Sequence, residues 1–185
     1  LIPLLLVIWY KPKPLVKSEK FLWSSFNFFK NPPFLIFLIY AIIYSLISFG
    51  IDGLLNFFII REFHASEEDL ENFNALRGIG SVIGAFTGLF IIDKKGHRNS
   101  SLFALIFLSV SALALSISWN LTITFVTAFI WGIAWGFQET IFLTLGMDIA
   151  DIRISASMFA ITMAISNIGT ALAEIFTGLL IENYS

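Results

Sequence analysis

The sequence predicts an all-α protein, a polytopic bundle of transmembrane helices, and three observations carry that prediction. Only 13% of the residues are charged against 57% hydrophobic, whereas an ordinary globular chain carries about 25% charged residues. Phe alone occurs 21 times and the mean hydropathy is +0.86. Five apolar stretches, 34 to 60, 73 to 92, 101 to 118, 121 to 146 and 155 to 181, are each long enough to cross a bilayer as a helix, which takes about 20 residues. Backbone groups in hydrocarbon must be satisfied internally, and these runs lack the apolar-polar alternation of barrel strands.

Residues 1 to 9 are too few to span and lack the small-residue cleavage site of a signal peptide, so they are expected to end a preceding helix. The segment 10 to 33 is bounded by Pro12 and Pro14 at one end and by Pro32 and Pro33 at the other. Between them Leu22, Phe26 and Phe29 recur at helical spacing beside Lys17, Lys20 and Lys30. That pattern suits an amphipathic helix on the inner leaflet, or else a plain charged linker. Residues 34 to 185 are then the bundle. Lys and Arg number five in 10 to 33, one in 61 to 72, three in 93 to 100, none near Asn120 and one in 147 to 154. The alternation places the first, third and fifth of these segments in the cytoplasm and the acidic segment 61 to 72 outside.

The same composition removes several classes of function. Without Cys there is no disulfide and no thiolate metal site, and His64 and His97 stand on different polar segments, so neither a metal nor another cofactor is expected. A net charge of -2 gives no argument for nucleic acid. No GxxxxGK[ST], HExxH or GxSxG motif occurs, so neither ATP drive nor an intramembrane enzyme is supported, and no catalytic residue is expected.

Polar residues inside a span cost about 2.5 to 3.5 kcal/mol each on insertion scales and normally face a bundle interior or a wet cavity. The first span carries Asp52 and Asn56, the second Arg77, the fourth Gln138 and Glu139, the fifth Asn167 and Glu174. The third has nothing more polar than serine and is expected to face lipid. At about 1.5 Å of rise per residue, Asp52, Arg77 and Glu174 lie about 7 to 12 Å below the outer ends of their helices. Two carboxylates and a guanidinium at one level form either an ion-coupling site or outer gate, in which the carboxylate not paired with Arg77 carries a proton, or a static ion pair. Glu139 sits about 10 Å from the cytoplasmic end of its helix. Trp131 and Trp135 make an aromatic stripe beside Gly132 and Gly136. That face is either packing or, with Asn56, Trp135, Gln138, Glu139 and Asn167, the polar wall of a substrate cavity. Gly80, Gly84 and Gly88 form a small-residue ladder suited to close helix packing.

The turn Asp93-Lys94-Lys95-Gly96-His97-Arg98 resembles the signature loop of the major facilitator superfamily: Asp, a basic residue, any residue, Gly, then two basic residues. Asp93, Lys94, Gly96 and Arg98 match. His97 stands where Arg or Lys is usual, and Leu89 occupies the place of the family's preceding Gly, with Gly88 one residue early. The long basic segment and the order of polar helices resemble the family's linker and second half. The run Met147 to Asp151, Arg153, and Ala156 through Gly169 with Ser166-Asn167 is similar to muropeptide-permease and acetyl-CoA-transporter relatives.

The resemblance implies the second six-helix half of a transporter, with its last helix missing beyond Ser185. It implies alternating-access transport of a small solute, driven by an ion such as the proton, with Asp93, Lys94, Gly96 and Arg98 as a cytoplasmic latch. The expected partners are that solute, the lipid bilayer and the N-terminal half of the same transporter, in the plasma membrane. A non-transporting receptor or scaffold on the same bundle is the alternative, and the loop itself has a plainer reading as a positive-inside turn.

Overall fold

The computed structural model describes residues 30–150 and 154–184. The expected end of a preceding helix at 1 to 9, and most of the segment 10 to 33, lie outside the described residues. Four helices follow in order: α1 (Pro32–Phe63), α2 (Glu67–Ser116), α3 (Leu121–Ile149) and α4 (Ser155–Tyr184). All four are long and apolar enough to cross a membrane.

The ends of these helices are written in local chemistry. Pro32 and Pro33 open α1 after Asn31, where missing N–H groups cost nothing and the fixed φ suits the first turn. It ends at His64, which takes the left-handed conformation, φ 48° and ψ 39°. Two residues on, Ser66 begins α2 with a reciprocal cap. Its hydroxyl accepts from the Asp69 N–H at 3.2 Å, and its own N–H donates to Asp69 Oδ2 at 3.0 Å. These bonds to Ser66 hold the Asp69 carboxyl below the usual carboxylate range, and Glu67 and Glu68 add negative charge at the same positive helix end. Asn120 caps α3 by accepting from the Ile123 N–H at 2.8 Å.

Straight, α2 would run about 75 Å, more than twice the hydrocarbon thickness. It does not run straight. Gly96 leaves the helical region at φ 72° and ψ 166°, a combination open essentially to glycine alone, and divides the helix into arms 67–95 and 97–116. Phe73 near one end and Leu115 near the other share a core cluster, so the second arm folds back along the first. The expected spans 73 to 92 and 101 to 118 are these two arms. The second arm exposes Leu102, Phe103, Ile106, Val110 and Leu113, an apolar face suited to lipid.

The helices pack as two pairs. In the first, α2 lies on α3 with backbones nearly touching: a Cβ on Gly80 or Gly84 would strike the Phe129 or Ile133 carbonyl, and one on Gly132 or Gly136 would strike the Arg77 or Ser81 carbonyl. The glycine ladder of α2 and the glycine stripe of α3 therefore fit each other. In the second pair, α1 meets α4 along Ser45, Gly50 and Gly53. Ser45 hydrogen-bonds Ser166, Gly169 abuts the Ile42 carbonyl, and the Thr177 hydroxyl donates to the Gly50 carbonyl at 3.4 Å. Between the pairs, Leu55 and Ile59 of α1 join Phe73, Leu108, Ala128 and Trp131 in one cluster, and Phe37 stacks on Phe142 at 5.5 Å.

Candidate functional site

The seam between the two pairs is where the polar side chains meet. Arg77 is set in height by the glycine lock, since its own carbonyl rests over Gly132. From there its Nη1 donates to Asp52 Oδ1, so an ion pair bridges α2 and α1. Both side chains are part-buried, at 22% and 38% exposure, and a charge left alone at this depth would be expensive. Around the pair lies a cavity of about 180 Å3 walled also by Phe49, Asn74, Ser81 and Trp135. A larger crevice of about 350 Å3 lies between α1 and the second arm of α2, but its walls are aliphatic and aromatic apart from Ser116. It offers little to orient a polar solute.

A second set of bridges lies deeper, joining α1 to α3. The Tyr44 hydroxyl donates to Glu139 Oε2 at 2.7 Å. Gln138 Nε2 donates to the Tyr40 oxygen at 2.5 Å. Gln138 is fully buried and its carbonyl oxygen has no hydrogen-bond partner. Phe142 packs against Tyr44 at 5.0 Å between ring centroids, so these polar contacts sit in an aromatic cluster with Phe37 and Tyr40.

The expected site residues are thus distributed unequally. Asp52 and Arg77 are joined, Trp135 shares their cavity, and Gln138 and Glu139 line the deeper seam. Asn56 lies one turn beyond Asp52 with a buried, unpartnered side-chain oxygen. Asn167 and Glu174 are exposed on α4. Gly50 packs on Ala173 and Gly53 on Thr177, so Glu174 does share the level of Asp52. It nevertheless makes no ion pair with Arg77, whose carboxylate partner among the described residues is Asp52. Depth brought Glu174 to the right height, and its azimuth about the helix turned it away.

Sequence reasoning passed over Tyr40 and Tyr44, although a signal existed: Tyr40, Tyr44, Ser48, Asp52 and Asn56 recur every fourth residue on one face of α1. Asn74, Arg77 and Ser81 do the same at spacings of three and four on α2.

At the opposite end of the bundle, Gly96 makes the turn that the DKKGHR segment was expected to make. Asp93, Lys94 and Arg98 are exposed, and none of them forms an ion pair among the described residues. The contact to a neighbouring helix comes instead from His97, whose Nε2 lies 2.6 Å from Asp148 Oδ2 in the last turn of α3. Lys95 places its ammonium over the Phe103 ring at 5.8 Å. Among the described residues no group of three or more His, Cys, Asp or Glu could hold a metal ion.

Four membrane-length helices among the described residues, joined along a seam of buried polar contacts, define a polytopic integral membrane protein. Residues 1–174 match the family model of the Major Facilitator Superfamily, and the chain belongs to that family. Its members are transporters rather than enzymes, and membrane transport of a solute is the activity the family carries. No curated protein matches the chain significantly, and no solved structure does.

Proposed function

We propose that the chain is part of the second six-helix half of a proton-coupled secondary transporter, which carries a small solute across the plasma membrane by alternating access against its N-terminal half. The observation that carries this reading is the Asp52–Arg77 pair, which bridges two helix pairs and walls a polar cavity. A carboxylate that loses its cationic partner in a low-dielectric site favours its neutral form, so separating the pair takes up a proton and restoring it releases one. Asp52 is flanked by Gly50 and Gly53, where α1 packs closely on Ala173 and Thr177 of α4. Glu139, Gln138 and Asn56 give the deeper seam its polarity. Gly96 and the His97–Asp148 contact act as the cytoplasmic latch, with Asp93, Lys94 and Arg98 free to engage other partners when the state changes. Asn167 and Glu174 on the exposed face of α4 are proposed to face the N-terminal half.

Reconstituted full-length transporter tests the coupling. Asp52→Asn should lose accumulation driven by a pH gradient and keep solute counterflow, while Glu174→Gln should keep both. Full gradient-driven uptake by Asp52→Asn would move the coupling site elsewhere, and absence of flux from the wild type would leave a receptor or scaffold.

A further inference from the structure

The cavity at Asp52 and Arg77 has a chemical bias of its own. A guanidinium presents five N–H donors, and in this structure Arg77 spends one on Asp52. The Trp135 indole offers a donor only, and Asn74 brings two amide donors together with a buried Oδ1 that has no partner. Ser81 adds a hydroxyl. The one negatively charged acceptor on these walls is Asp52, already committed to Arg77. Unused donors therefore outnumber unused acceptors, which favours a ligand rich in acceptors. Phe49 and Trp135 supply apolar walls for a short carbon chain. A volume of about 180 Å3 is close to that of an engineered cavity of about 150 Å3 that takes benzene.

We infer that this cavity binds a short monocarboxylate, whose anionic end replaces Asp52 on Arg77 while Asp52 takes a proton. The inference rests on the transport reading above and adds the class of substrate. Its balance is simple: no covalent bond to carbon changes, one proton passes from water to an Asp52 carboxylate oxygen, and one anion enters. The site keeps the same net charge before and after. Anion and proton then cross together, and the coupled step moves no net charge. Arg77 pairs with carboxylates in a planar, two-point geometry that an ammonium cannot reproduce, which suits a carboxylate over a neutral amide of equal shape.

The charges that line the cavity limit the ligand. No second cation lines the cavity among the described residues. A second carboxylate on the ligand would therefore enter the cavity without a cationic partner, so dicarboxylates are rejected.

The test uses the purified full-length transporter, with propionate as probe and propionamide, propylammonium and succinate as controls. Trp135 makes binding visible in its own fluorescence, and Trp135→Phe identifies that share of the signal. Propionate should bind, and the controls should bind at least tenfold more weakly. In weakly buffered solution each propionate bound should take up close to one proton, and affinity should tighten up to tenfold per pH unit as pH falls. Asp52→Asn should bind propionate with this pH dependence abolished, and Arg77→Gln should not bind it. The proton count is made on the wild type and stands even if a variant fails to fold. No propionate binding at millimolar concentration, no proton uptake, or equal binding of propylammonium would overturn the inference. Binding without flux in proteoliposomes would sink the transport reading and leave the site. Proton-driven flux of a solute that is not a carboxylate would do the reverse.

Discussion

Two tyrosines one turn apart on α1 perform different tasks, and their energetics separate them. Tyr44 donates to a carboxylate that is only partly buried, so in Tyr44→Phe Glu139 can turn toward water. Tyr40 accepts from Gln138, which is fully buried and already has one unpartnered oxygen. Removing that acceptor leaves the whole amide unsatisfied, at a cost of about 1 to 3 kcal/mol. Intramembrane hydrogen bonds average about 0.6 kcal/mol, which is the expected effect of Tyr44→Phe. Thermal unfolding of the purified transporter should therefore fall further for Tyr40→Phe than for Tyr44→Phe. The reverse order would mean that Glu139, and not Gln138, depends on its tyrosine.

At this scale the sequence was legible in depth and not in direction. Rise along a helix put Asp52, Arg77 and Glu174 at one level, and the first two do meet. The 100° step from Ala173, buried against α1, to Glu174 carries the carboxylate off the packed face. Knowing that Ala173 faces α1 requires knowing which helix α4 packs on. No local pattern states it.

Glycine plays two parts among the elements, and substitution distinguishes them. Gly96 has nothing within 4 Å of an added Cβ, yet its φ of 72° makes any side chain strained. Gly178 has equally open surroundings in ordinary helix. Gly96→Ala is expected to destabilise the transporter by about 1 to 3 kcal/mol, while Gly178→Ala should be neutral or stabilise it by about 0.5 to 1 kcal/mol. Differential scanning fluorimetry of the two variants checks the contrast, and equal midpoints would mean that the turn relaxes without strain. The turn residue was readable beforehand because the motif demands a glycine there. What stayed hidden was that the flanking residues remain helical, so that the loop shrinks to a single non-helical position. The glycine ladder likewise announced a close approach without naming its partner, which the stripe on α3 supplies only in three dimensions.

For the whole molecule, the helical class followed directly from composition and run length, because hydrocarbon leaves the backbone so few solutions, while the five expected stretches fall on four helices, one of them divided at Gly96. Arrangement into two pairs did not follow, since any of the apolar faces could satisfy any other. Orientation is the part of the layout that charge predicts: 61 to 72 outside, 93 to 100 inside. Single cysteines at Glu68 and Asn99, both exposed, should react with an impermeant maleimide from opposite sides of sealed vesicles. Labelling of both from one side would invert half the topology.

The pairing of α1 with α4 bears on how the chain is made. Residues 64 to 154 separate the two helices, so α1 leaves the ribosome and enters the bilayer long before its main packing partner is synthesised. Throughout that interval Asp52 sits in hydrocarbon on a helix without its proper neighbour. Arg77 belongs to the very next helix and arrives first. The ion pair of the mature transporter is thus also among the first tertiary contacts open to the nascent chain, after Phe73 has reached Leu55 and Ile59, and it can hold α1 at its proper depth until α4 closes over Ser45 and Gly50.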